Sequence, residues 1–248
     1  MKKIKSKLVI IIILSFISSC TSFHSKRFQK KAKESRSDII ESYSDNHHIY
    51  KTNRVFHYSV NQSTDSINFN FKLDLRIIPA RKAKSAFIEY SYHYSKEDIK
   101  LLNLKTECPD SLKGKCRTEI STIRESTNWV LMHPPRSKSL DILELAPFPE
   151  FIAEEKGWES ELSIPKGNWG EWENTKFRWK FELDSILFDK DSVPEYHSIK
   201  SSSNSKFGLN ENNFLYHRDS GFVHMNYEFE NLGHVNIRLI NITIDTIR

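Results

Sequence analysis

Residues 67–77 read Ile-Asn-Phe-Asn-Phe-Lys-Leu-Asp-Leu-Arg-Ile, apolar at every odd position and polar at every even one. Successive side chains of a strand point to opposite faces, so this period of two predicts a strand with one buried and one wet face. Pro79 ends it. The same alternation returns at Ala86, Ile88, Tyr90, Tyr92 and Tyr94, at Phe177, Trp179, Phe181 and Leu183, and at Val223, Met225, Tyr227 and Phe229. Residues 235–244 are rich in β-branched side chains and read as a further strand. Helical signals are few. Ser95, followed by Glu97, Asp98, Ile99, Leu101 and Leu102, predicts a short helix with a serine cap, and residues 151–156 suggest another turn or two. Alternation with one wet face belongs to antiparallel sheets. The expected fold is therefore all-β: an antiparallel β-sandwich or partly open β-barrel with one or two short helices, as one domain over residues 46–248.

The amino end follows a different pattern. Lys2, Lys3, Lys5 and Lys7 precede an apolar run over residues 8–17. A membrane-spanning helix needs about 20 apolar residues, so this run has the length of a signal peptide instead. Ile17-Ser18-Ser19-Cys20 then resembles the bacterial lipobox: an aliphatic residue, two small ones, and a cysteine that is acylated and becomes the new amino terminus. The resemblance implies a signal peptide over residues 1–19, a palmitate-type lipid on Cys20, and a protein tethered in the bacterial cell envelope. Thr21 stands where an inner-membrane retention signal would carry Asp, which favours the outer membrane. Each buried methylene of the lipid adds about 0.8 kcal/mol of membrane affinity.

Charge and cysteine usage refine this picture. The formal net charge of +5 is misleading as a whole. The four amino-terminal lysines leave with the signal, and residues 21–37 carry Lys26, Arg27, Lys30, Lys31, Lys33 and Arg36 against Glu34. Residues 38–248 are therefore net acidic, which excludes the basic folded face of a nucleic-acid binder. Residues 20–45 read as a lipidated cysteine and basic tether, whose cations lie within reach of anionic headgroups. Cys108 and Cys116 flank a polar turn-forming segment, and in an oxidising compartment such a pair predicts a disulfide worth about 2–3 kcal/mol.

Candidate chemistry concentrates at the centre. His133-Pro134-Pro135-Arg136 ends a predicted strand through Trp129, and Pro147-Phe148-Pro149-Glu150 follows Ile142-Leu143-Glu144-Leu145. Trp158, Trp169 and Trp172 come next. The prolines fix φ and remove donors, so both tetrads leave the sheet. Arg136 offers a bidentate grip on a carboxylate or phosphate, and the tryptophans offer stacking faces to a sugar or lipid. The alternative is structural: Arg136 pairs with Glu144 or Glu150 to pin a loop, and the tryptophans are core. The order of these elements over residues 129–181 resembles a group of Bacteroidetes-type bacterial lipoproteins, with which no activity is carried over.

Catalytic motifs are absent from the sequence. There is no Gly-x-Ser-x-Gly elbow and, with seven glycines in the chain, no phosphate-cradling loop. A hydrolase would have to rest on His133 with Glu144 or Glu150. His217 and His224 would face each other as candidate metal ligands if Ser220-Gly221 were a two-residue hairpin loop; a three-residue loop would put them on opposite faces. No cofactor, no metal and no nucleic acid are expected. The reading is a non-catalytic envelope lipoprotein, held to the membrane through Cys20, that binds an envelope protein or a small apolar or glycan ligand. A carrier of lipid and a cell-envelope hydrolase are the alternatives.

Overall fold

The computed structural model describes residues 49–64, 68–78, 86–102, 117–136, 140–164, 173, 175–188, 194–205 and 208–244. Cys20, Cys108, Cys116, Trp169 and Trp172 lie outside these residues.

The described residues form twelve strands: β1 (Arg54–Ser63), β2 (Asn68–Ile78), β3 (Ala86–His93), β4 (Arg117–Ser126), β5 (Trp129–Met132), β6 (Glu150–Ile152), β7 (Gly157–Ser163), β8 (Lys176–Phe188), β9 (Pro194–Ser205), β10 (Gly208–His217), β11 (Gly221–Phe229) and β12 (Gly233–Ile244). They form one sheet in the order β6-β5-β4-β3-β2-β1-β12-β11-β10-β9-β8-β7. Every neighbouring pair is antiparallel. Two six-stranded meanders are thus joined where β1 pairs with β12, for example Val60 opposite Ile237. Followed round, the order is that of an up-and-down barrel with a single ladder missing, between β6 and β7.

Alternation decides which face becomes the interior. Phe69, Phe71, Leu73, Leu75 and Ile77 of β2 are all buried, as are Ile88, Tyr90 and Tyr92 of β3. Trp179, Tyr58, Tyr227, Phe56, Phe177, Phe214 and Phe222 are essentially inaccessible. Burying each such side chain contributes roughly 2–3 kcal/mol. A round barrel of twelve strands would be too wide for side chains to fill. Here rings from distant strands meet instead: Phe151 of β6 stacks on Tyr216 of β10 at 4.1 Å between centroids. The sheet is therefore a partly open barrel, flattened until its inner faces touch.

Helix α1 (Lys96–Leu101) has the expected cap: Ser95 Oγ accepts from Asp98 N at 3.0 Å, and Asp98 Oδ2 accepts from Ser95 N at 3.1 Å. Residues 151–156 do not form the second helical turn expected of them. Phe151 pairs with Val130 and Glu150 with Leu131, because the edge of β5 offers a ladder that six residues of isolated helix cannot match. The short helical element falls at Asp141–Leu145, as a 3₁₀ turn.

The β10–β11 hairpin also differs from expectation. His217 faces Gly221, Tyr216 faces Phe222, and Leu215 faces His224 across a bulge. The loop is Arg218-Asp219-Ser220, and Gly221 takes φ +73°, a left-handed conformation suited to glycine. A Cβ at Gly221 would collide with the Tyr50 hydroxyl, which accepts a hydrogen bond from Phe222 N at 2.9 Å. His217 and His224 are consequently not cross-strand partners. Asp219 N donates to His217 Nδ1 at 3.1 Å, and Asn236 Nδ2 donates to His224 Nε2 at 2.7 Å.

At the missing ladder a side chain takes over from the backbone. Glu150 on β6 is 3% exposed and gathers three donors. Trp129 Nε1 of β5 reaches Oε1 at 2.9 Å, while Trp158 Nε1 and Ser160 Oγ of β7 reach Oε2 at 2.9 and 2.8 Å. Glu150→Gln would turn an amide N–H₂ towards a donor, and Glu150→Leu would orphan all three. The expected cost is about 1–3 kcal/mol for Gln and more for Leu, read as a lowered midpoint of urea unfolding. An unchanged midpoint in both variants would show that the seam holds without Glu150.

Candidate functional site

The His133–Arg136 tetrad sits where β5 runs out. His133 N makes a last bond to Thr122 O at 3.1 Å, and Tyr90 Oη donates to His133 O at 2.7 Å. Pro134 and Pro135 then carry the chain away from the sheet and bring Arg136 over β3 and β4. Arg136 N and Nε donate to the two oxygens of Glu119 at 2.8 and 3.0 Å, and Tyr92 Oη donates to the same carboxylate at 2.6 Å. Arg136 Nε also lies 3.0 Å from Glu144 Oε1, which reaches this point from the 3₁₀ turn. That contact is an ion pair without hydrogen-bond geometry, since the N–H is aimed at Glu119 and Glu144 Oε1 accepts no bond.

This unequal sharing governs the electrostatics. Burial pushes the Glu144 carboxyl up to about 7; Arg136 opposes the shift, and Glu119 and Asp141 reinforce it. Burial, with Arg136 alongside, holds His133 down to about 3, although its bond to Pro134 O works the other way. Because a carbonyl can only accept, His133 Nδ1 carries the proton in that 3.0 Å bond, and Nε2 is the unprotonated nitrogen. Nε2 lies 3.9 Å from Glu144 Oε1, beyond hydrogen-bond reach. The cluster is thus a neutral imidazole and a carboxyl that titrates near neutrality, beside a fixed arginine–glutamate pair.

The other candidates divide. Arg136 pairs with Glu144 but not with Glu150, which is engaged with Trp129, Trp158 and Ser160. Burial raises the Glu150 carboxyl, and those donors pull it part of the way back. Trp158 is buried and stacks on Phe181 at 5.1 Å, so its face is a core contact. Phe148 of the Pro-Phe-Pro segment packs between His133 at 4.4 Å and Trp179 at 4.8 Å. Glu119 was missed by sequence reasoning. Nothing local in β4 singles it out, and only its register opposite Tyr90, the bond from Tyr92 and the return of the proline loop give it a role.

The outer face carries two further constellations. His57 Nδ1 and His93 Nε2 bond the two oxygens of Asp74 at 2.7 and 2.8 Å, and His57 Nε2 meets Thr243 Oγ1 at 2.9 Å. The imidazoles bracket separate oxygens rather than converging, and among the described residues no group of three acidic, histidine or cysteine side chains is placed to hold a metal. The second is an open groove of about 1190 Å³ across β7–β11. Its outward lining includes Glu159, Lys180, Lys200, Glu211, Asn213 and Asn226. On the reverse of that wall the inward residues are small and polar: Ser201, Ser203, Asn210 and Asn212. Other strands carry rings at the corresponding inward positions.

No family model matches the chain, and no curated protein is significantly similar to it in sequence. Solved structures that resemble it include the following two. One is a protein described as exported, with a YmcC-like fold, from Bacteroides fragilis, at 10% identity and a TM-score of 0.39, over 78% of this chain and 96% of that one. The other is a domain described as an outer membrane lipoprotein-sorting protein from Vibrio parahaemolyticus, at 11% identity and a TM-score of 0.31, over 87% and 92%.

The shifted pair makes stability depend on pH in a defined way. Glu144 keeps its proton in the fold up to about 7 but loses it near 4.5 when unfolded, so its contribution is lost as pH rises through that interval. His133 is neutral when folded and protonated below 6.5 when unfolded, so its contribution is lost as pH falls. Between 4.5 and 6.5 the two oppose each other, as folding moves one proton from imidazole to carboxyl. His197 and His224, which burial also holds low, add to the acid limb. Glu144→Gln should remove the decline between 4.5 and 7, on the order of 3 kcal/mol in full. Thermal melts of variant and parent from pH 4.5 to about pH 8 should diverge across that interval. A difference between the two that stays constant with pH would exclude a raised Glu144.

Proposed function

We propose that the protein is an envelope lipoprotein, tethered through Cys20, whose β-domain is a binding module with the β7–β11 groove as its binding face. The groove carries the reading. It is an open concavity on the outer surface, with charged and amide side chains in its lining, while the titratable residues of the proline-linked centre are tied into the interior. The lipobox-like Ile17-Ser18-Ser19-Cys20 and the basic tether supply the anchor. Among the described residues no helix is long and apolar enough to cross a membrane. The groove's outward lining is polar, which favours a polar ligand or partner over an apolar cargo. His133, with one nitrogen committed to Pro134 O and the other out of bonding range of Glu144, suits a structural role better than proton transfer to a substrate.

Two measurements test this in cells making the full chain. Cys20→Ser should leave the precursor uncut and unlabelled by radioactive palmitate; normal processing of that variant would overturn the anchor. Photo-crosslinking from p-benzoylphenylalanine placed at Ser202, Glu211 or Asn226 should yield adducts of raised mass in the envelope fraction. Adducts absent from all three groove positions would overturn the groove as the binding face.

A further inference from the structure

Five asparagines occupy one row across the outer face of the sheet. Asn70 of β2 faces Asn61 of β1, Asn61 faces Asn236 of β12, Asn236 faces Asn226 of β11, and Asn226 faces Asn213 of β10. The row then continues into the groove as Lys200, Glu182 and Gly157. Asparagine is depleted in strands, where β-branched residues serve an exposed central position better. Five in register on adjacent strands therefore cost folding free energy without any return in the core, since all five point outwards. Each of the five side chains is hydrogen-bonded to a neighbour inside or beside the row. Asn61 Nδ2 donates to Asn70 Oδ1 at 2.6 Å, Asn236 Nδ2 to Asn226 Oδ1 at 3.2 Å, Asn226 Nδ2 to Glu228 Oε1 at 3.0 Å, and Ser198 Oγ to Asn213 Oδ1 at 3.3 Å.

We infer that this row and the groove it enters bind an extended, uncharged glycan laid across the strands; the inference rests on the groove being the binding face. Three features select that ligand. Strands lie about 4.8 Å apart, so the row repeats an amide at close to the length of one pyranose in an extended chain. Each amide combines donors with an acceptor, which matches vicinal hydroxyls, and its orientation is already ordered by its neighbours, so less entropy is lost on binding. Charge argues against a polyanion: Lys156, Lys180 and Lys200 are offset by Glu159, Glu182, Glu211 and Glu228. Lys200 is further engaged with Asp184 at 2.7 Å. A peptide added as a strand is disfavoured too, because β12, β11 and β10 are paired on both sides and expose no ladder edge.

The test is calorimetric titration of the purified full chain with soluble hexasaccharides: uncharged β-1,4-glucose, α-1,4-glucose and N-acetylglucosamine oligomers, with a hexauronate for comparison. Saturable binding of an uncharged hexamer is expected, at least about tenfold tighter than its dimer. Asn226→Val and Asn61→Val should each weaken it by about tenfold, the equivalent of one lost hydrogen bond, with the melting temperature unchanged or raised. Valine is favoured at such positions, so misfolding would be seen as a lowered melting temperature, and Asn213→Thr then serves as the replacement variant. Binding of the hexauronate alone, of no oligomer, or with equal strength in the valine variants would overturn the inference. If no oligomer binds but the groove crosslinks to an envelope protein, the glycan fails and the binding face stands; if neither occurs, both fail.

Discussion

The carboxylate of Glu150 does for the side chains what a missing ladder would have done for the backbone. Eleven antiparallel ladders carry the sheet from β6 round to β7, and there the backbone pairing stops. An open pair of edges in so long a sheet is a liability, because unpaired N–H and C=O groups recruit other strands. Glu150 instead draws Trp129, Trp158 and Ser160 to one buried point, linking β5 and β6 to β7. The arrangement is costly in isolation, since a buried carboxylate with no cation suffers full desolvation. It is sustained by three donors that would themselves be orphaned in its absence, so the seam works as a unit.

The cluster at Arg136 follows a complementary logic. Two glutamates compete for one guanidinium, and Glu119 takes the hydrogen bonds while Glu144 receives only proximity. A charge that is near but not bonded is poorly compensated in the interior, so Glu144 holds a proton towards neutrality. The two prolines make this possible by fixing the loop that returns Arg136 over β4. The cluster thereby locks the end of β5 next to the seam. His133 and Trp179 share Phe148 as a common packing partner, and Trp179 stands opposite Ser160 of the seam across the β7–β8 ladder, which links the two buried polar centres.

The inward half of the fold was legible in the sequence because it depends on a period of two, which local reading detects without knowing partners. Odd-numbered Phe69 to Ile77 and even-numbered Ile88 to Tyr94 are buried as the alternation requires. The helix at Ser95 was legible for the same reason: its capping box spans four residues. What needed long-range register was not. The three-residue loop Arg218-Asp219-Ser220 set His217 opposite Gly221 and so parted it from His224, and nothing in residues 208–229 marks that loop length or the bulge beyond it. Glu119 reads like any exposed strand residue until Tyr92 and Arg136 are brought to it. Residues 151–156 show the limit of local propensity, because the waiting edge of β5 decided their conformation.

The β9–β10 wall carries small residues on its inner face: serine and asparagine stand where other strands place rings. The groove lies on the outer side of the same wall. Its outward lining had no packing duty and could be chosen for recognition. The register then delivers a row of amides from β2, through β1, into that hollow, crossing strands that are distant in sequence but adjacent in the sheet. The β1·β12 pairing, which joins the two meanders, is also what makes the row continuous. The junction that completes the fold therefore assembles the recognition surface as well, and neither meander contains that surface alone.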